Sequence, residues 1–180
     1  GVTVNLTDGT ALDNWNNDDT LQNIENVSGS QYGDSITGNG VANSLTGNAG
    51  DDSLIGNDGN DFLSGGDGDD TLDGGNGNDN LQGNAGNDVL LGGADNDFLV
   101  GGAGQDSIDG GTGSDVALFE DAPGGVTINL QTPAVSNDGY GYIETITGVE
   151  NLHGSWHDDT ITLGNDPNSY VFGRAGADVL

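Results

Sequence analysis

The sequence has no cysteine and no methionine, and Arg174 is its only lysine or arginine. Without cysteine no disulfide framework can staple the chain, so its stability must come from elsewhere. A thiol-free chain also suits export. Thirty acidic residues against one basic residue give a formal net charge of −29. Such a chain repels nucleic acid and anionic membranes. No apolar run is long enough to cross a bilayer, which argues against membrane insertion. No leader-like segment is visible and the first residue is Gly1, so the sequence reads as a fragment or a processed product. Its 180 residues suffice for one domain. Low hydrophobicity with high net charge ordinarily signals disorder. Periodic acids with a cation between them would reverse that expectation.

The acids are periodic. From Gly38 a glycine recurs every nine residues through Gly47, Gly56, Gly65, Gly74, Gly83, Gly92 and Gly101 to Gly110. Five residues after each stands Asn43, then Asp52, Asp61, Asp70, Asp79, Asp88, Asp97, Asp106 and Asp115. Seven after each stands Leu45, Leu54, Leu63, Leu72, Leu81, Leu90, Leu99, Ile108 and finally Ala117. One unit further back, Gly29, Asp34 and Ile36 fall in the same frame. The unit is G-G/N-x-G-x-D-x-L-x, and fixed-period self-similarity marks a solenoid.

In each unit a strand triplet points its central Leu inward and its neighbours outward, and six residues are left for the turn. Two units make an 18-residue coil with a strand on each side. Stacked coils lie about 4.8 Å apart and pair in parallel. The expected fold is therefore all-β, a parallel β-roll or β-solenoid. Its core is two facing ladders of Leu, thin for a glycine-rich chain that loses much entropy on ordering.

Residues 18 apart lie above one another. One edge then carries Asp34, Asp52, Asp70, Asp88 and Asp106, and the other Asn43, Asp61, Asp79, Asp97 and Asp115. Two carboxylates about 4.8 Å apart repel by roughly 1 kcal/mol in water, and by several times that at protein-like dielectric. A hard dication between each pair reverses the sign. Carboxylate and carbonyl oxygens without sulfur or imidazole suit Ca²⁺, whereas Mg²⁺ demands a tighter octahedron and keeps its waters. Asp and Gly are also ordinary turn formers. A turn alone would accept Asn or Ser at the sixth place, yet that place is Asp in every unit but that of Asn43, while the fifth varies. Counting neighbouring Asp pairs gives four positions on the first edge and three on the second, with Asn43–Asp61 a weaker eighth.

These nonapeptides resemble the RTX (repeats-in-toxin) calcium-binding repeats of secreted bacterial proteins, over residues 29–118. The resemblance implies type I secretion, an extracellular location, and a chain that folds on meeting calcium outside the cell. It implies a folding and spacer module. Two alternatives stand beside it: a surface-layer, adhesin or filament subunit that stacks head to tail, and an accessory module of a secreted enzyme. Calcium is the expected ligand, and neighbouring domains or further copies are the expected macromolecular partners.

A second, longer repeat occupies the flanks. Gly1-Val-Thr-Val-Asn-Leu6 matches Gly125-Val-Thr-Ile-Asn-Leu130, Ile24-Glu-Asn-Val27 matches Val149-Glu-Asn-Leu152, and Asp34-Ser-Ile-Thr37 matches Asp159-Thr-Ile-Thr162. Both copies alternate like strands. They read as wider, irregular coils of one continuous solenoid: 1–28 before the roll of 29–118, and 119–180 after it. Gly173 to Leu180 restarts the nonapeptide, with Asp178 in the ligand place; Asp159 holds the place matching Asp34. Phe62, Phe98, Val100, Val116 and Leu118 share one side of the coil, where residues 119–148 are expected to cover them.

No catalytic constellation emerges, and the chain is expected not to be an enzyme. His153 and His157, the only histidines, align with turn positions Ser28 and Tyr32, a poor zinc pair. Glu120, Glu144 and Glu150 could serve as paired acids, but Glu150 aligns with Glu25 as a motif residue. Trp15, Trp156, Tyr140 and Tyr142 could stack on sugars, though packing within the irregular coils is the simpler expectation.

Overall fold

The computed structural model describes residues 1–13, 15, 17–131, 134–164, 167 and 169–180, and side-chain surroundings for these except 134–136. No helix occurs among the described residues. Two long sheets face each other. One runs through Ser35–Thr37, Ser53–Asp58, Thr71–Asn76, Val89–Ala94 and Ser107–Thr112, the other through Asn26–Ser28, Ser44–Ala49, Phe62–Asp67, Asn80–Ala85, Phe98–Ala103 and Val116–Leu118. Within each, neighbours pair in parallel 18 residues apart: Leu54 against Leu72, Leu45 against Leu63. This is the β-solenoid of 18-residue coils that the nonapeptide period predicts.

The inward ladder is complete. Leu45, Leu54, Leu63, Leu72, Leu81, Leu90 and Leu99 are all 0 % exposed. Burying a Leu side chain contributes roughly 1.5–3 kcal/mol, but each coil holds only two.

The strands are longer than the expected triplets. They run six residues, and pairing resumes beyond the first glycine of each unit, as in Asn48 against Gly66 and Ala49 against Asp67. The chain bends at that glycine and then rejoins the ladder. The bend sets the second place at positive φ, 79° at Asn57 and 81° at Asn84. Asn and Gly tolerate that region best, which explains the G/N choice there.

The flanks stack in register but are not simple wide coils. Thr3–Asn5 pairs in parallel with Ser35–Thr37 and antiparallel with Thr10–Leu12. The second copy repeats this: Thr127–Asn129 pairs in parallel with Thr160–Thr162 and antiparallel with Ala134–Asn137. In the first copy a tight turn reverses the chain, with Asn5 Oδ1 accepting the Asp8 N–H and Gly9 at φ 66°. Tight reversals make antiparallel pairs, and alternation alone does not report strand direction.

Beyond the nonapeptides the coil widens. Ser107 pairs with Thr145 and Val116 with Asn151, so the intervening segment loops out before the two sheets resume. That segment covers part of the apolar side. Val116 is buried, and Val100 and Leu118 line a small cleft with Phe119, Ala122 and Tyr140. Phe98 remains 45 % exposed. Trp15 is 83 % exposed, so the packing expected of it does not occur. It sits in the turn between Thr10–Leu12 and Asp18–Thr20, an antiparallel pair at the outer end of the first sheet.

Candidate metal centre

Each sixth-place side chain does two different things. Its Oδ1 accepts the backbone N–H of the residue one coil earlier: Asp34 N–H to Asp52, Asp52 to Asp70, Asp70 to Asp88, Asp88 to Asp106 on one edge. The other edge repeats this from Asn43 to Asp61, Asp61 to Asp79, Asp79 to Asp97 and Asp97 to Asp115. These bonds span 2.6 to 2.9 Å. An Asn oxygen could accept them equally well. The Oδ2 atoms make the difference. Those of Asp52, Asp61, Asp70, Asp79, Asp88, Asp97, Asp106 and Asp115 are buried and accept no hydrogen bond. A buried carboxylate oxygen without a partner costs more than any turn preference returns.

The space beside each Oδ2 is what the first glycine leaves open. A Cβ on Gly47 would overlap Asp52 Oδ2 and come within 2.7 Å of the Gly65 carbonyl oxygen on the next coil. A Cβ on Gly92 would lie 2.5 Å from Asp97 Oδ2 and 2.6 Å from the Gly110 carbonyl oxygen. Carboxylate and carbonyl oxygens thus converge on a cradle that any side chain would fill. Among the described residues no three His, Cys, Asp or Glu side chains form a metal-holding group. The cradle depends instead on one carboxylate oxygen with carbonyl oxygen, an all-oxygen donor set that fits Ca²⁺.

Burial dominates the electrostatics. It pushes the carboxyls of Asp70, Asp79, Asp106 and Asp115 up to about 6, and those of Asp88 and Asp97 up to about 7. The N–H bond from the coil below opposes the rise, and neighbouring carboxylates add to it. Asp52 and Asp61 are raised for the same first reason.

The remaining predicted positions differ. Asn43 Oδ1 accepts the Asn39 N–H at 2.7 Å, and its amide donates to the Glu25 carbonyl at 3.2 Å. Asp34 lies in the first ladder, but its oxygens accept from Val2 N, Ser30 N and Ser30 Oγ. Asp159 repeats that pattern with Val126 N, Ser155 N and Ser155 Oγ. Asp178 stands above Asp159 and accepts its N–H at 3.1 Å. The fifth place forms an exposed outer ladder, as when Asn87 N–H donates to Asp69 and Asn96 N–H to Asn78. Any carboxamide or carboxylate serves in water, which is why that place varies.

Two ladder positions escape a reading by nine-residue steps. Thr145 N–H donates to the Asp106 carbonyl, so Glu144 follows Asp106 on the first edge. Asp115 N–H donates to Glu150 Oε2, so Glu150 follows Asp115 on the second. The local signal was present: Glu144-Thr-Ile-Thr147 has the form of Asp34-Ser-Ile-Thr37 and Asp159-Thr-Ile-Thr162. His153 and the lone Arg174 belong to another group. Arg174 pairs with Glu120, whose Oε1 is 3.1 Å from His153 Nδ1, and its guanidinium lies over Trp156 and Phe172.

Stacked parallel coils with one oxygen-lined cradle per nonapeptide define a calcium-binding β-roll as the class. The family model of the RTX calcium-binding nonapeptide repeat (4 copies) matches residues 28–63, 46–81 and 82–117. These spans cover half of the chain, which belongs to that family. RTX repeats bind Ca²⁺ and are structural rather than catalytic elements. No curated protein matches the chain.

Proposed function

We propose that this chain is a calcium-triggered folding and spacer module of an exported protein, itself without catalysis. The observation that carries the reading is the row of buried, unpartnered Oδ2 atoms, each beside a glycine-shaped cradle. Successive acids hold one ion each: Asp34–Asp52, Asp52–Asp70, Asp70–Asp88 and Asp88–Asp106 on one edge, Asp61–Asp79, Asp79–Asp97 and Asp97–Asp115 on the other. Calcium supplies positive charge where the chain has none. Asn43, Asp159 and Asp178 close the ladders by hydrogen bonding. The roll of 29–118 is the calcium-binding part; 1–28 and 119–180 support its ends.

Each position needs oxygens from two coils, so no ion binds well before the coils stack. Folding and binding are then one event. Ions that bind only the folded state stabilise it once per site. Affinities of about 10⁻⁴–10⁻³ M, usual for extracellular modules, would leave the chain unfolded inside a cell and folded outside. Such a thin, glycine-rich core tolerates that switch because little else holds the coils.

The test is an ion count by native mass spectrometry at saturating calcium. Asp88→Asn, which alters two neighbouring positions, is expected to lose at least one ion. It is expected to lose about 2.7 kcal/mol of stability when calcium stands 100-fold above Kd. A folded variant with an undiminished count would place the ions elsewhere.

A further inference from the structure

The first acid ladder does not stop where the nonapeptides stop. Above Asp106 the chain supplies Glu144 in place of the next Asp, and the loop leading to it supplies Asp138. All three are buried: Asp106 is 2 % exposed, Asp138 1 % and Glu144 1 %. Four of their oxygens accept no hydrogen bond, namely Asp106 Oδ2, Asp138 Oδ2 and both carboxyl oxygens of Glu144. The groups feel one another. Burial first, then the charges of Asp106 and Asp138, push Glu144 up to about 9.

Asp138 is held in place with care. Its Oδ1 accepts the N–H groups of Tyr140, Gly141 and Tyr142 at 2.9, 2.7 and 2.8 Å. That clamp fixes the carboxyl through Oδ1 and leaves the buried Oδ2 without a partner. The first long-repeat copy has the same clamp, with Asp13 Oδ1 accepting from Trp15 N and Asn17 N. There Asp13 matches Asp138 and Asp19 matches Glu144, yet Asp13 is only half-buried and Asp19 is exposed. The buried cluster therefore arises only where this loop stacks on the end of the acid ladder.

No side chain is available to neutralise it. Arg174 is the only Lys or Arg in the chain, and it is paired with Glu120. We propose that Asp106, Asp138 and Glu144 hold a further divalent cation of the hard, oxygen-seeking class at the junction between the roll and the wide coil. The proposal rests on the calcium reading of the ladders and extends it to residues outside the nonapeptide. The three carboxyls do not enclose a centre by themselves. The Glu144 carboxyl, one methylene longer than that of Asp, lies against the Asp106 N–H and the Asp138 carboxyl, and an ion there would bridge these acids, with carbonyls and water completing the shell as hard cations require. Three carboxylates in place of two make this the most acidic position on the edge. It would anchor the loop to the roll.

The experiment uses the full chain. Native mass spectrometry at saturating calcium compares the wild type with the Asp138→Asn/Glu144→Gln double variant. One ion fewer, with the strand signal retained, is expected; an unchanged count overturns the proposal. Should the double variant not fold, wild-type crystals grown with terbium decide by anomalous scattering. A peak beside Asp138 and Glu144 supports the site, and ladder peaks without it refute it. A wild type that binds no ion overturns the ladder reading and this proposal together, whereas ladder ions without this one overturn this proposal alone.

Discussion

Acidifying the calcium-free protein from about pH 8 to about pH 5 is expected to restore strand structure that a chelator removes at neutral pH. Six ladder carboxyls carry pKa values of about 6 to 7 in the folded coil, chiefly through burial. In the unfolded chain an Asp titrates near about 3.9. Between those values the folded, ion-free roll retains protons that the unfolded chain has released. Stability therefore falls as pH rises. The folded state is favoured most below the unfolded value, and the advantage is gone above about pH 7. A proton on each rung does in acid what calcium does at neutral pH: it removes the charge from a buried oxygen. With calcium present the dependence reverses, because protons compete for the same oxygens and weaken binding as pH falls. Far-UV circular dichroism in chelator, on a sample shown monomeric by sedimentation, reads the first effect. Strand content that is flat or falling on acidification would mean the buried carboxyls do not oppose folding.

The second large effect separates two kinds of glycine that stand side by side. Gly92 has no positive φ, so its backbone would accept alanine, but a Cβ there would enter the cradle between Asp97 Oδ2 and the Gly110 carbonyl. Gly93 has φ 108° and occupies the place that Asn57 fills two coils earlier in the same sheet. Gly92→Ala is expected to lose at least one ion, costing about 2.7 kcal/mol at calcium 100-fold above Kd, with a further roughly 1–3 kcal/mol from overpacking. Gly93→Asn, whose Cβ would press on the Gly75 carbonyl oxygen unless φ relaxes toward the 79° of Asn57, is expected to keep every ion and to lose only the roughly 1–3 kcal/mol of overpacking. Ion counts and urea midpoints in calcium measure both. Equal behaviour of the two variants would show that the first glycine serves the bend alone and shapes no site.

Much of this was legible because the nonapeptide carries its own register. A nine-residue step puts Leu inward, and two steps put Asp over Asp, so the core and both ladders follow from spacing. What the spacing does not convey begins where it breaks. Between Leu118 and Glu144 no period counts the residues of the wide coil, so the arrival of Glu144 above Asp106 and of Glu150 above Asp115 is set by packing. The hairpins at Thr3–Leu12 and Thr127–Asn137 alternate like any strand, and direction is invisible in alternation. The sixth place raised a subtler problem. Its preference for Asp over Asn is visible in the sequence, but the cause is the division of labour between its oxygens, one bonded along the stack and one left bare. Asn43 shows the alternative at the end of the ladder, where the amide nitrogen takes the place of the bare oxygen and donates to the Glu25 carbonyl.

The most direct test is a calcium titration of metal-free protein at neutral pH, followed by far-UV circular dichroism, with magnesium as the parallel sample. A cooperative transition from coil to strand with calcium alone, with a midpoint of about 10⁻⁴–10⁻³ M, is the predicted result. Full strand content before any calcium is added, or an equal response to magnesium, would contradict the account.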